Sequence, residues 1–222
     1  NTVPLSGSAT VASSFWDTST SGTTTGIGGG DPRGQGGNVT GLTTAQLQSG
    51  SLPAGFGSGT WATGAGLYPY QKATFANGVQ AVSGFAYGDA GATALASGTN
   101  GAVRVSVLAN GAAFGAATAG ANGYYYAIGV TPIAAGQSVL AYTGADARTG
   151  ATNAATVASA GGTAAQGGLN LYGSTLAGQT SALTFSTLPD LRPAATAAAG
   201  GDAAALAAIG LASGRYYVAT GS

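Results

Sequence analysis

Any chemistry in this chain would have to come from six aspartates, one lysine, five arginines and ten tyrosines, because its 222 residues include no histidine, cysteine, methionine or glutamate. Without imidazole or thiolate, neither a Ser-His-Asp relay nor a Cys-His pair can be assembled, and zinc has no nitrogen or sulfur ligands. A serine-lysine dyad would need Lys72, and no serine lies three residues before it. Paired carboxylates can hydrolyse glycosides, but Asp17, Asp31, Asp89, Asp146, Asp190 and Asp202 stand singly in the sequence. The expectation is a protein that is not an enzyme, with no catalytic residue, no cofactor and no metal.

The run "GIGGGDPRGQGG", residues 26 to 37, carries one carboxylate followed by proline. A calcium roll needs repeated carboxylates that supply several oxygens each. Its glycines also lack the following Lys-Ser/Thr of a phosphate loop and the dinucleotide spacing, so the run reads as a surface loop. Charged residues make up 5% of the chain and the formal net charge is zero. Nucleic-acid binding draws on clustered Lys and Arg, and none occurs here, so nucleic acid is not expected as a partner. A neutral surface lacks the self-repulsion that keeps copies apart, which favours association. No apolar run approaches the length of a spanning helix, so membrane insertion is not expected. Asn1 opens the chain without a leader pattern, so the sequence reads as a processed or excised piece.

The elements that would position these residues are mainly strands. "GSATVASSFW" alternates Ala9, Val11, Ser13 and Phe15 against Thr10, Ala12 and Ser14, which predicts a strand. In "GLTTAQLQSG", Thr43 and Gln46 make a capping box with Leu42 and Leu47 as its staple, so one or two helical turns should end near Gly50. "WATGAGLYPYQ" returns to extended chain, with Pro69 interrupting its ladder. From Val79 the signal is antiparallel β. Val82, Gly84 and Ala86 oppose Phe85 and Tyr87, and Val103, Val105 and Val107 oppose Arg104 and Ser106. Asn110-Gly111 and Asn122-Gly123 predict two successive hairpins, hence a meander. "QSVLAYTG", "GGLNLYGSTL", "SALTFSTL" and "RYYVATG" add strands, while "DAAALAAIG" reads either as a helix capped by Asp202 with Gly210 after its last turn or as a tightly stacked strand of alanines.

"SSFWDTSTSG", then "GLTTAQL", then a Trp followed by "GLYPY" resembles the module that follows β-helix repeats in bacterial secreted adhesins of the filamentous-haemagglutinin kind. The likeness covers residues 8 to 71, with Phe15 where tyrosine is usual and an inserted glycine-rich loop before Gly41. It implies an extracellular, cell-surface, adhesive or fibre-forming role. Val79 to Thr143 also resembles immunoglobulin-like or carboxypeptidase-regulatory-like sandwiches.

The expected architecture is therefore all-β: a β-helix-like or irregular β module over residues 1–75, then an antiparallel β-sandwich over 76–222, with one or two short helices. Phe15, Trp16, Asp17 and Tyr70 are the expected structural fasteners, because a glycine-rich scaffold has few side chains able to fill volume. Asp17 is suited to accept local backbone N–H groups in an Asx-type turn. Tyr124, Tyr125 and Tyr126 cannot share a face. Tyr124 and Tyr126 should fill core and Tyr125 should cover an edge. Tyr125, Tyr217 and Trp61 are the candidate interaction surface. The expected function is a structural and adhesive unit that self-associates through β edges into oligomers or filaments, with a host or surface glycan or protein as a further partner. The alternative is a carbohydrate-binding module that stacks sugars on those three rings.

Overall fold

The computed structural model describes residues 11–26, 39–95, 103–144, 153–179 and 191–212, together with the backbone of 215–219. These residues are mostly β, with three short helices. The strand predicted from Ala9 begins only at Ser14, because Ser13 takes a positive φ of 47° and breaks the alternation. β1 (Ser14–Asp17) pairs in parallel with β2 (Val39–Leu42), which sets Trp16 opposite Gly41. The predicted helix follows as α1 (Thr44–Leu47), and both halves of the Thr43/Gln46 capping box are formed. β3 (Trp61–Gly64) and β4 (Leu67–Gln71) make a hairpin. Its register shifts between Ala62 and Gly64, opposite the stretch of β4 that holds Pro69. A proline has no N–H to give the ladder, and the shift accommodates it.

β5 (Gln80–Phe85) pairs antiparallel with β8 (Tyr124–Gly129) and parallel with β11 (Ala165–Gln166), making a three-stranded sheet. The second sheet has the order β13-β12-β10-β9-β6-β7. Its members are β6 (Arg104–Ala109), β7 (Ala112–Thr118), β9 (Ser138–Thr143), β10 (Ala154–Ser159), β12 (Thr175–Gln179) and β13 (Arg215–Ala219). Asn110 and Gly111, with φ of 49° and 77°, form the predicted β6–β7 turn.

The meander does not continue. Asn122-Gly123 turns the chain as predicted, but β8 joins β5 in the other sheet instead of pairing with β7. The sheet is also mixed, not purely antiparallel, since β10–β12 and β12–β13 run parallel. Parallel neighbours need crossover connections. The first passes through β11 in the facing sheet, and the second through α2 (Leu191–Ala199) and α3 (Ala203–Leu211).

Alternation along the central strands fills two cores. Val105, Val107, Val139, Ala141 and Ala154 face the three-stranded sheet and meet Val82, Tyr125, Leu169 and Leu171. Leu108, Leu140, Tyr142, Ala155 and Val157 face the other way and meet α2 and α3. Both faces of this sheet are thus covered, which explains why β9 and β10 are buried at nearly every position. β5 follows its predicted pattern, with Val82, Gly84 and Ala86 buried while Phe85 and Tyr87 are half-buried. Gly84 has a further role: a Cβ there would sit 2.4 Å from the carbonyl oxygen of Leu169. Its absence lets the 169–171 segment run alongside β5, where Leu169 and Leu171 donate to Ser83 and Phe85 carbonyls. The expected single strand over "GGLNLYGSTL" is accordingly split between this segment and β12.

Asp202 caps α3, accepting from the Ala205 N–H at 2.8 Å. The helix runs through Gly210 to Leu211, one turn position beyond the expected stop, and Ala212 is its C-cap. α2 was not foreseen; Pro193 sits in its first turn, where no intrahelical N–H is required. "SALTFSTL" lies outside the described residues.

Candidate functional site

Three of the expected fasteners are consecutive on β1, and Asp17 reaches α1. The Asp17 carboxylate accepts the Ser19 and Thr20 N–H groups through Oδ1, at 2.8 and 3.3 Å, which is the anticipated Asx-type turn. Its Oδ2 accepts the Thr44 hydroxyl at 2.7 Å and the Tyr68 hydroxyl. One carboxylate thereby ties β1 to the start of α1 and to β4. Burial, followed by the hydrogen bond to the Asp17 carboxylate, raises the Tyr68 pKa far above the ordinary tyrosine value, so its hydroxyl stays a donor. Phe15 meets Phe56 edge-on at 5.4 Å, and Phe56 stacks on Trp61 at 4.4 Å. Trp16 lies against Gly26 and Gly41, where added Cβ atoms would come within 2.6 and 3.2 Å of the indole.

This group is joined to the sheets. Tyr68 packs edge-on to Tyr126 at 4.8 Å, and its N–H donates to the Tyr126 hydroxyl at 3.2 Å. Gln48 bonds the Tyr124 hydroxyl at 2.9 Å, and Ala121 N–H donates to the Thr20 carbonyl at 2.8 Å. These contacts span the expected division between residues 75 and 76.

Where the β3–β4 hairpin crosses β8 it leaves a groove of about 330 Å³. Its rings are Trp61, Tyr70, Phe75 and Tyr126, with Ile128 at one end. Gln71 and Thr74 supply polar groups at its rim. Tyr70, expected as a fastener, packs edge-on to Phe75 at 6.1 Å and also lines this groove. Trp61, expected on an interaction surface, is half-buried and lines it too. A second cavity of about 310 Å³, lined by Thr20, Thr118 and Tyr124, shares Tyr68 and Tyr126 with the first.

Tyr125 is not part of any such surface. It is 0% exposed, and its hydroxyl donates to the Leu169 carbonyl. Tyr124 and Tyr126 are the half-buried pair, so the expected faces are inverted. The cause is the neighbouring layer: the β5 face carrying Val82 and Gly84 points into the core, and Tyr125, opposite Gly84, follows it. Full burial of such a ring contributes about 2 to 3 kcal/mol. Tyr217 lies on β13 opposite Ala177, and its side chain is outside the described residues.

The described aspartates all hold backbone. Asp17 and Asp202 do so as above, while the Asp89 carboxylate accepts N–H groups of Gly91, Ala92 and Thr93. Those bonds, led by Thr93, depress the Asp89 pKa well below the usual carboxylate range. Asp31, Asp146 and Asp190 lie outside the described residues. Sequence reasoning missed Phe56, Tyr68, Phe75 and Ile128, and expected Tyr126 as core, whereas it also lines the groove. Tyr68 could have been found, because it lies in "GLYPY", one of the stretches that carry the adhesin resemblance. Phe56 sits in a glycine-rich stretch with no periodicity to mark it. Comparison with known protein families, with curated proteins and with solved structures finds no match to this chain.

Proposed function

We propose that this chain is a non-enzymatic structural and adhesive module of a bacterial cell-surface or extracellular fibre, and that it associates with copies of itself through β edges. In this reading residues 1–75 form a β-helix-terminal module and 76–222 a sandwich-based unit. The parallel β1–β2 pair and the two facing sheets support that division. The observation that carries the reading is the edge strand β7. It closes one side of the six-stranded sheet, and its sequence AAFGAAT contains no charge and no proline. Ala112, Ala113, Ala116 and Thr118 are exposed. Edges are normally guarded by lysine, proline or a bulge, because unpaired N–H and C=O groups recruit further strands. β7 has a bulge near Phe114, opposite Val107 and Leu108, and Gly115 packs against the Ile128 backbone of β8, which leaves Ala116–Thr118 as the regular run beyond them. Pairing there would draw on backbone hydrogen bonds and would be insensitive to salt.

Sedimentation velocity at about 50 and about 500 mM salt tests this, a range over which charge-driven contacts are strongly screened. The expected result is oligomers at both salts for the wild-type chain and a monomer for Ala116→Lys with unchanged circular dichroism. A wild-type chain that stays monomeric at high concentration in both salts contradicts the reading.

A further inference from the structure

We propose that the groove between the β3–β4 hairpin and β8 is a binding site for a neutral carbohydrate. Three observations favour that occupant. The first is chemical: no aspartate, lysine or arginine is among the lining residues, so the groove offers no counter-charge to an acidic or basic ligand. A charged group entering it would lose hydration without finding a partner. The second is the state of its polar groups. Among the described residues, the hydroxyls of Tyr124, Tyr125, Tyr126, Tyr68 and Tyr142 are all engaged in hydrogen bonds. Tyr70, Gln71 and Thr74 also line this groove, and none of the side-chain hydrogen bonds found among the described residues uses them, which leaves their polar groups for sugar hydroxyls. The third is shape and size. A concavity of about 330 Å³ is in the range of small-ligand sites. A stable protein contact would instead call for a broad patch of about 800 Å² on each partner.

Rings with free polar groups around them match a sugar, whose C–H faces are apolar and whose rim is hydroxylated. Trp61, held by its stack on Phe56, and Tyr70, held edge-on by Phe75, are pre-set platforms that lose little freedom on binding. Ile128 is 39% exposed and extends the apolar floor along the outer face of β8. This site replaces the surface expected around Tyr125 and retains only Trp61 of the three rings first considered.

The experiment uses the full chain on an array of neutral oligosaccharides beside sialylated and sulfated ones, with hits titrated by tryptophan fluorescence. Binding of neutral glycans is expected, weakened about tenfold or more by Tyr70→Ala through loss of a stacking ring. Ile128→Arg, at an exposed position that tolerates a new side chain, should block the groove and act as the second test should Tyr70→Ala perturb folding. Tyr87→Ala, whose ring stacks on Tyr172 at 5.7 Å away from the groove, should leave binding unchanged. The proposal is overturned if no neutral glycan binds, if only acidic glycans bind, or if binding survives both groove variants. A wild-type dimer that Ile128→Arg dissociates would make the groove a contact between copies and would also overturn it. Self-association through β7 is read separately, by Ala116→Lys, so either idea can fail alone.

Discussion

Replacing Asp17 by alanine removes the acceptor shared by four donors from three elements: two local N–H groups, the Thr44 hydroxyl and the Tyr68 hydroxyl. A hydrogen bond to a charged group contributes about 1.5 to 3 kcal/mol, and a donor left unsatisfied costs a similar amount. The four donors are only partly buried, so water can satisfy some of them once the carboxylate has gone. The net loss for Asp17→Ala is therefore about 2 to 4 kcal/mol, well short of four full bonds. Equilibrium urea unfolding followed by tryptophan fluorescence reads it well, because Trp16 adjoins the deletion and only one other tryptophan is present. At a slope of about 2 kcal/mol/M the midpoint should fall by about 1 to 2 M. Tyr68→Phe keeps the ring against Tyr126 and removes only the hydroxyl, so it should cost about 1 to 2 kcal/mol. The two substitutions share one bond, and the double variant should be less destabilised than the sum by about 1 kcal/mol. A loss below about 0.5 kcal/mol for Asp17→Ala, or strict additivity with Tyr68→Phe, would refute the fastening role.

Three further outcomes are expected. Gly84→Ala would place a methyl 2.4 Å from the Leu169 carbonyl oxygen and 2.6 Å from its carbon, against backbone that cannot swing away. It should lower stability by about 1 to 3 kcal/mol in thermal unfolding, and a neutral effect would contradict the close approach of that segment. Asp202→Ala removes the α3 cap and the acceptor of the Tyr142 hydroxyl, so a loss of about 1 kcal/mol or more is expected by urea unfolding. Stability should also fall in alkali. Burial pushes Tyr126 up to about 12, and Tyr68 and Tyr125 are likewise raised. The folded chain thus holds these protons more tightly than the unfolded chain, whose tyrosines titrate near about 10. That contribution is complete below the unfolded value and is lost as pH rises through about 12. Urea midpoints on either side of the ordinary tyrosine pKa, with tyrosinate absorbance, check it; an unchanged midpoint would contradict the burial.

What could be read from the sequence was local. The Thr43/Gln46 box, the Asn110-Gly111 turn and the Asp202 cap each depend on a few adjacent residues, and each is formed. The Asn122-Gly123 turn is formed too, but a turn cue says nothing about which sheet receives the next strand, and β8 goes to β5. In the same way, alternation showed that Tyr125 opposes Tyr124 and Tyr126 without showing which face is inside. The buried face is the one on which β5 and Leu169, far along the chain, pack, and the Leu169 carbonyl meets the Tyr125 hydroxyl. Asp17 and Phe15 are expected as fasteners from composition, whereas the residues they contact, Tyr68 and Phe56, come from segments with no shared periodicity. The groove depends on one hairpin crossing β8, a long-range arrangement that no short motif encodes.

We propose that this molecule works by adding strands at an uncharged edge. Peptide-resolved amide hydrogen exchange, recorded on the full chain at low and high protein concentration, tests it most directly. Amides of Ala112–Thr118 are expected to become protected as concentration rises, while those of Ala203–Leu211 on the opposite layer keep their rates. Exchange in β7 that is fast and independent of concentration, in a chain that nonetheless assembles, would contradict it.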